Sequence, residues 1–372
     1  MKPFGESLVS LVAASLDANY TDVRKAATSI AQLLNKEDAE AAKQIKSLIR
    51  KKGVPLRSSG YVEKLPTDAK SKLDLVEESS WPLTPVFLGE VEKNVFDTFV
   101  EDVSNSDRLI KYGLAGRFNL LLSGPPGTGK SLIAGHVAAQ LNKPIYTVRL
   151  DSMISSLLGD TAKNIRSVFD FSARKKGVLF IDEVDAVAKL RDDKHEVGEL
   201  KRVVNTLIQG LDSLDDDSVV IAATNHAGLL DPAIWRRFPY SIKFEYPDAD
   251  LRRVMWGHFL YDDHGEQKPL RSLSNISDGL SGADIETISH SAKRRSVLEG
   301  KEINFPRVVE AVLRSRSSQV SIPMRGELEP AEKKDISKIL SVDYKISQAE
   351  IAKMLSVSRQ AVSKYLKGAQ DG

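Results

Sequence analysis

A glycine-rich loop followed by a lysine and a serine is the stretch of this 372-residue chain with the clearest chemistry. It lies between an apolar run at 118–122, which predicts a buried strand, and a segment from 132 to 141 with helical spacing. Glycines let backbone N–H groups turn toward phosphate oxygens, and a helix N-terminus adds partial positive charge. We therefore predict a site for a nucleoside triphosphate and Mg²⁺, with Lys130 at the β- and γ-phosphates and Ser131 on the metal. The predicted binding residues of this stretch are Gly124, Pro125, Pro126, Gly127, Thr128, Gly129, Lys130, Ser131 and Leu132.

Two adjacent carboxylates, Asp182 and Glu183, end a second apolar run at 178–181. Ligands of parallel sheets bind at the carboxyl ends of the strands, so we expect both acids beside the glycine-rich loop. Asp182 is predicted to hold the Mg²⁺ shell and Glu183 to polarise the attacking water, because hydrolysis needs a metal anchor and a general base. An apolar strand that ends in Asp-Glu is common, and its spacing from the loop is what favours this interpretation.

Three further polar residues are candidates for catalysis. Asn225 follows the apolar run 219–224 and is able to orient the lytic water or sense the γ-phosphate, although an isolated Asn at this position is typical of a turn cap. Arg236 and Arg237 are adjacent, and such a pair is usually solvated. If they project toward a neighbouring subunit, they supply charge to its transition state in trans.

Composition excludes several classes of protein. There is no cysteine, so disulfides and thiolate zinc sites are absent, and we expect a reducing, cytoplasmic compartment. No run of eighteen apolar residues occurs, so no membrane span is expected. The net charge of +2 is too small to indicate nucleic-acid binding by itself, and any DNA contact must come from a local patch.

The pattern along the chain changes four times. Strand-like runs alternate with helical segments in the middle of the chain, as a buried parallel sheet requires, whereas helical spacing prevails before and after it. The predicted division is a helical domain at 1–52, a linker at 53–84, an α/β nucleotide-binding domain at 85–247, a helical domain at 248–322 and a more basic helical segment at 328–372.

Taken in order, the motifs resemble those of the AAA family of ATPases, within the AAA+ superfamily. The resemblance extends from about residue 85 to residue 318 and includes a signature of the lid helix, Gly-Ala-Asp-Ile, that is specific to this branch. The matching stretches are Gly124–Ser131 (Walker A), Val178–Glu183 (Walker B), Asn225 (sensor 1), Asp231–Phe238 (arginine-finger region) and Gly282–Ile285 (lid signature).

The resemblance implies an α/β P-loop NTPase fold with a small helical lid and an Mg²⁺-dependent ATP hydrolase. Gly282 and Ala283 are then expected near the adenine and ribose. Family members work as rings, commonly hexamers, because ATP lies between subunits. Arg236 and Arg237 would then serve the site of the neighbour, and Arg237 is the better candidate because it directly precedes Phe238.

Two positions depart from the family pattern. Unfoldases of the family carry an aromatic residue in the pore loop, and the corresponding stretch here has Leu157 in that position, followed by Leu158. Leucine grips a threaded polypeptide over less area than an aromatic ring does. Many relatives have another arginine three residues past the finger, where this chain has Tyr240.

The last helical segment fits a helix-turn-helix over 348–366. Ser347 and Ser358 are predicted N-caps, and Ser356 occupies the tight turn, where glycine is commoner. Eight basic residues against five acidic ones lie between 331 and 372. The second helix is expected to present side chains able to contact base edges or phosphates, namely Arg359, Gln360, Ser363 and Lys364. The alternative is a three-helix domain that binds protein or packs on the ring.

Two functions remain open from the sequence. The first is a ring-forming ATPase that remodels a protein substrate, with or without a separately encoded effector, and that is tethered to DNA by the helix-turn-helix. The second is a DNA-acting ATPase or an ATP-gated DNA-binding regulator.

Overall fold

The computed structural model describes residues 8–9, 20–34, 41–43, 45, 65–67, 74–114, 116–150, 158–186, 197–315 and 319–367. The chain divides into two compact units, Met1–Lys64 and Leu65–Gly372. The first unit contains helix α1, Tyr20–Leu34, on which Ala26, Ile30 and Ala31 are buried. Their spacing places them on one side of the helix.

The second unit is built on a six-stranded sheet with the order β1-β3-β4-β5-β2-β6. All neighbouring strands are parallel except β1, which pairs antiparallel with β3 at one edge. Both faces of the sheet are covered, so β2 and β5 are buried along their whole length. The strands are β1 (Glu77–Ser79), β2 (Phe118–Ser123), β3 (Ile145–Arg149), β4 (Val178–Asp182), β5 (Val219–Thr224) and β6 (Tyr240–Lys243).

Strand alternation divides the core of this unit into two layers. Leu120 and Leu122 of β2 face one layer, and Leu121 between them faces the other. The helices that cover the sheet are α2 (Glu90–Ser104), α3 (Ser106–Lys111), α4 (Lys130–Gln140), α5 (Leu158–Arg174), α6 (Val197–Ser213) and α7 (Pro232–Trp235), with a 3₁₀ turn at Ala227–Leu229.

The edge strand β1 lies inside the segment 53–84, which the sequence analysis treated as a linker. The structure corrects that prediction, because Glu77–Ser79 pairs with β3 and the preceding Leu75 and Val76 are buried in the core. The strand was missed since it is short and entirely polar. Such strands are typical of sheet edges, where charged side chains discourage pairing with other chains.

Seven helices of the described chain follow the sheet and pack around one shared core. Trp256, Leu273 and Val308 of the earlier helices belong to the same cluster as Ile351 and Val362 of the last ones. The sequence analysis separated 248–322 from 328–372, whereas the packing joins them. The helices are α8 (Ala249–Tyr261), α9 (Gln267–Ile276), α10 (Gly282–Glu299), α11 (Phe305–Arg314), α12 (Pro330–Val342), α13 (Gln348–Met354) and α14 (Arg359–Lys367).

Polar contacts reinforce this junction. The guanidinium of Arg307 on α11 is buried and pairs with Glu310 at 2.7 Å and with Glu332 of α12 at 3.1 Å. Ser272 on α9 donates a hydrogen bond of 2.9 Å to Glu350 on α13. Because the Arg307–Glu332 and Ser272–Glu350 contacts each connect two different helices, α12 and α13 are joined to the helices before them by more than the chain connection. In the part of the chain that the structure describes, no helix combines the length and apolar character needed to cross a membrane.

Candidate active site

The glycine-rich loop follows β2 and leads directly into α4. Gly124, Gly127 and Gly129 all have positive φ angles, in the region that favours glycine. A Cβ on Gly124 would overlap the backbone carbonyl of Phe244, and a Cβ on Gly127 would lie 2.5 Å from the Ser281 hydroxyl. The loop therefore needs glycine at these two positions for its backbone conformation and for the close approach of neighbouring chain segments.

Lys130 occupies the first residue of α4, and its side chain lies within the loop. Its Nζ donates to the carbonyls of Gly124 at 2.9 Å and Pro125 at 2.7 Å. Burial lowers the pKa of the Lys130 ammonium from its ordinary value, and the nearby carboxylates of Asp182 and Asp185 oppose that shift. A buried cation enclosed by backbone dipoles is suited to hold an anionic ligand such as a phosphate chain.

The donors expected for Mg²⁺ lie side by side at the carboxyl end of β4 and the start of α4. Ser131 Oγ donates to Asp182 Oδ2 at 3.3 Å, and Asp182 Oδ1 accepts from the backbone N–H of Glu183 at 2.8 Å. No group of three His, Asp or Glu side chains able to hold a metal occurs among the described residues. One hydroxyl and one carboxylate fit Mg²⁺ that takes its remaining ligands from substrate phosphates and water.

Glu183 has a left-handed backbone conformation, with φ of 53°. A tight turn follows it, in which Ala186 N–H donates to the Glu183 carbonyl at 2.8 Å. Val184 N–H donates at 2.9 Å to the carbonyl of Ala223 on β5, so the turn is attached to the next strand of the sheet. Non-glycine residues persist in this region of φ only where their surroundings enforce it, and such residues cluster at active sites.

One cavity of about 390 Å³ brings most of the predicted residues together. Pro126 to Leu132 line it from the loop, and Asp182, Glu183 and Asn225 line it from the ends of β4 and β5. Gly282 and Ala283, at the start of α10, also line it, together with apolar side chains that include Phe87 and Phe259. A lining that combines the polar loop with apolar side chains suits a ligand with phosphates and a flat base.

The contact between α10 and the loop is direct. Ala283 N–H donates at 3.1 Å to the Gly127 carbonyl. Ser281 caps α10 and forms a reciprocal capping box with Asp284, which fixes where the helix begins. The first turn of the helix is therefore positioned against the loop by its own cap.

The sequence analysis missed Asp185, which is fully buried behind Glu183. Its Oδ1 accepts from Thr224 Oγ1 at 2.9 Å and from Asn225 N–H at 3.3 Å. The available signal was an acidic residue in the apolar surroundings just after Glu183, since buried carboxylates need partners.

The arginine pair lies just before the amino end of β6, whereas the glycine-rich loop follows the carboxyl end of the neighbouring β2. Neither Arg236 nor Arg237 belongs to the described residues that line the cavity. Arg237 pairs with Asp212 at 3.0 Å, and Arg117 contacts the same carboxylate. Hydrogen bonds from Arg237, supported by Arg117, lower the pKa of Asp212. Arg236 is exposed and forms no ion pair within the described chain.

Tyr240 stands where the resemblance implied an arginine in many relatives. Its side chain makes contacts within its own unit. Its hydroxyl donates to Asp102 Oδ2 at 2.6 Å, and its ring packs edge-on against Phe99. Burial, with the Asp102 carboxylate, raises the pKa of Tyr240 to about 12. Tyr240 thus attaches β6 to α2 and faces the interior of its own unit.

The remaining predicted residues fall in two places. Leu157 lies outside the described residues, and Leu158 is the first residue of α5. On α14, Val362 is buried, and of the predicted DNA contacts Arg359, Gln360 and Lys364 are exposed and Ser363 is half-buried.

The turn before α14 has the expected cap. Ser358 Oγ accepts from Ala361 N–H at 3.2 Å, and Ser347 caps α13 through the N–H of Glu350. Ser356 has φ of 53°, the left-handed conformation that a tight turn requires.

The parallel sheet, the glycine-rich loop and the paired acids define a P-loop nucleoside triphosphatase. The family described as "ATPase family associated with various cellular activities (AAA)" matches residues 120–246. An uncharacterized AAA family ATPase, y4kL, of Sinorhizobium fredii is 37% identical over 245 residues, which cover 64% of this chain and 73% of that protein. This chain belongs to the AAA family of ATPases and is an ATP hydrolase.

The alignments with other relatives cover a smaller share of those proteins. The proteasome-activating nucleotidase of Methanopyrus kandleri is 29% identical over 279 residues, 71% of this chain and 64% of that protein. The ATP-dependent zinc metalloprotease FtsH of Caldicellulosiruptor bescii is 30% identical over 267 residues, 69% of this chain and 43% of that protein.

Among solved structures, the crystal structure of the FIGL-1 AAA domain has a TM-score of 0.50 and 20% identity and covers 80% of this chain and 91% of that one. At this level of identity the likeness supports the fold alone.

Proposed function

We propose that this protein is a ring-forming ATPase, commonly a hexamer in this family, that couples ATP hydrolysis to the remodelling of a protein partner. The observation that carries the proposal is the separation of two sets of charged groups. Lys130, Asp182 and Glu183 line the cavity at the carboxyl ends of the strands, whereas Arg236 and Arg237 lie near the amino end of β6. A head-to-tail contact between copies brings these two ends together, and a contact of this kind closes into a ring when its rotation allows.

Within each site we assign separate roles. Lys130 and the loop N–H groups hold the β- and γ-phosphates, and Gly282 and Ala283 border the base and ribose. Ser131 and Asp182 bind Mg²⁺, which neutralises charge on the phosphates. Glu183 accepts a proton from the attacking water, and Asn225 orients that water.

The case for a protein substrate comes from relatives. The proteasome-activating nucleotidase and the FtsH metalloprotease carry names that link them to proteolysis, and this chain spans 64% and 43% of those proteins. We propose a polypeptide substrate contacted by Leu157 and Leu158, with proteolysis or another effector activity encoded separately. A leucine pair has a smaller contact area than an aromatic residue, so we expect modest remodelling in place of processive unfolding.

The last helices support a further proposal, that α13 and α14 form a helix-turn-helix which attaches the ring to DNA. Arg359, Gln360 and Lys364 are exposed on the second helix, whereas Val362 is buried. A single copy would bind weakly, but several copies on one ring gain affinity by avidity. The second candidate function, a DNA-acting ATPase or ATP-gated regulator, has the same support from α14.

ATPase stimulation separates the two candidates. We expect an unfolded protein to raise the hydrolysis rate more than duplex DNA does, and Glu183→Gln to retain a bound protein that the wild type releases. Stimulation by duplex DNA alone, with no protein retained by Glu183→Gln, would favour the second candidate.

A further inference from the structure

The two groups assigned to the attacking water, Glu183 and Asn225, lie on different strands. Glu183 follows β4 in a left-handed conformation, and Asn225 follows β5. The distance between them is therefore not fixed by either strand alone. Whatever sets their relative position must connect the end of β4 with the end of β5.

Asp185 and Thr224 add a side-chain connection to the backbone hydrogen bond between Val184 and Ala223. The Thr224 hydroxyl donates to Asp185 Oδ1 at 2.9 Å and accepts from the backbone N–H of His226 at 3.0 Å. Asp185 Oδ1 also accepts from Asn225 N–H at 3.3 Å. One carboxylate oxygen and one hydroxyl thus order the three residues that follow Ala223.

The burial of this pair argues for a role beyond filling space. Asp185 has no exposed surface and Thr224 has 1%. A buried carboxylate is costly unless hydrogen bonds and charges satisfy it, and an apolar residue would fill the same space at lower cost. The ammonium of Lys130 interacts electrostatically with the carboxylates of both Asp182 and Asp185. Asp185 thus lies near a cation and within the turn that begins at Glu183.

We infer that Asp185 and Thr224 are positioning residues, forming an Asp185–Thr224 link that holds Glu183 and Asn225 at the separation required for attack by one water. The inference rests on the proposed roles of Glu183 and Asn225. Positioning of reacting groups changes the rate of the chemical step far more than it changes substrate binding. Neither Asp185 nor Thr224 lines the cavity, so loss of the link should spare nucleotide affinity.

Thr224→Val tests the link because it removes the hydroxyl and keeps the β-branched shape. We expect kcat for ATP to fall by about tenfold to a hundredfold, while KM and the Kd of a fluorescent ATP analogue stay within about twofold. Thr224→Ser, which keeps the hydroxyl, should restore kcat to near the wild-type value. Thr206→Val is the matched control, because Thr206 is a buried threonine that donates only within its own helix, to the carbonyl of Arg202.

Asp185→Asn gives a second measurement that does not depend on the threonine variant folding. It retains an oxygen able to accept from Thr224 and Asn225 and removes the charge, so kcat should stay well above that of Thr224→Val. A loss of kcat in Asp185→Asn as large as that in Thr224→Val would contradict the inference, because Asp185→Asn keeps the acceptor of the link. Wild-type kcat in Thr224→Val, or no recovery in Thr224→Ser, overturns the inference.

The outcomes for the link and for the assigned roles are distinct. If Glu183→Gln and Asn225→Ala lose turnover while Thr224→Val does not, the link alone is wrong. If Glu183→Gln and Asn225→Ala both hydrolyse ATP normally, the assigned roles are wrong and the link has no catalytic purpose.

Discussion

Arg237 and Asp212 form a two-point contact, with Arg237 Nε at 3.2 Å from Asp212 Oδ1 and Nη2 at 3.0 Å from Oδ2. The pairing fixes the guanidinium of Arg237 within its own subunit, whereas the adjacent Arg236 is exposed. The sequence favoured Arg237 as the residue that serves a neighbouring site. The structure adds that Asp212 orients Arg237, whereas Arg236 has no ion pair among the described residues.

Complementation between inactive variants tests whether sites are shared between subunits. Glu183→Gln keeps its arginines but inactivates its own site. Arg237→Ala keeps Glu183 in its own site but removes the arginine predicted to serve the neighbour. Each alone should bind ATP and hydrolyse it poorly, but random mixed rings should recover about a quarter of wild-type activity, since one neighbour pair in four joins the intact halves. ATPase rates of mixtures measure this directly.

A mixture of Glu183→Gln and Lys130→Ala is the control, because neither variant supplies a working site, and it should stay inactive. Repeating the experiment with Arg236→Ala shows which arginine serves the neighbour. If rings assemble but Glu183→Gln recovers no activity with Arg237→Ala or with Arg236→Ala, the shared site is contradicted.

Nucleotide affinity should depend on pH through Lys130. Burial lowers the pKa of free Lys130 below its ordinary 10.5. Bound phosphates favour the charged ammonium and raise that pKa, so binding takes up a proton once the free lysine has lost it. ATP affinity should therefore be constant near neutral pH and fall as the pH rises through the lowered pKa of the free enzyme.

Titration of fluorescent nucleotide at pH values from 7 to about 10 measures this dependence. Lys130→Arg is the control, since a guanidinium stays charged across the range and should give weaker but pH-independent binding. A profile for Lys130→Arg that falls in parallel with the wild type would assign the dependence to another group.

Arg307 should be essential to the stability of the junction between α11 and α12. Its side chain is 7% exposed and pairs with Glu310, which is 3% exposed, so Arg307→Met leaves a buried carboxylate without its nearest cation. We expect the free energy of unfolding to fall by about 3 kcal/mol. Urea denaturation measures it.

Arg314 provides a matched control for that experiment. It also contacts Glu310, at 2.9 Å, but its side chain is 54% exposed. Arg314→Met should therefore cost less than about 1 kcal/mol. Equal losses in the two variants would show that burial does not determine the contribution of this network.

Binding of duplex DNA should depend on the exposed face of α14. Arg359→Ala combined with Lys364→Ala is expected to weaken binding and to reduce the slope of log affinity against log salt by about 2, because two phosphate contacts are lost. The basal ATPase rate should not change. Fluorescence anisotropy with a labelled duplex at several salt concentrations measures both quantities.

Arg294→Ala with Lys301→Ala is the charge-matched control, since both residues are exposed on or just after α10, away from α14 in sequence. It should leave the salt slope unchanged. If the two double variants behave alike, the C-terminal helices do not bind DNA and the alternative, a protein-binding or ring-packing role, is favoured.

Because α8 to α14 share one core, DNA bound to α14 would act on more than a separate tether. The sequence suggested a separate segment that tethers the ring. Contacts such as Ser272 with Glu350 instead join α13 to α9, whose neighbouring helix α10 borders the nucleotide cavity. A DNA contact on α14 would therefore be mechanically connected to α10, which lines the cavity.

The sequence by itself determined the local chemistry of the nucleotide site. A glycine loop ending in Lys130 and Ser131, and a strand ending in Asp182 and Glu183, are contiguous patterns whose backbone geometry follows from glycine freedom and strand direction. Parallel pairing then brings the carboxyl ends of the strands together, so most of the cavity lining was predictable.

Only the tertiary structure decided the pairings between residues that are distant along the chain. Thr224 lies 39 residues from Asp185, and Arg237 lies 25 residues from Asp212. No local pattern specifies such partners, because the packing of strands and helices selects them after the elements form. The same reason explains why the polar edge strand β1 and the common core of the last seven described helices were missed: both depend on what the segments contact.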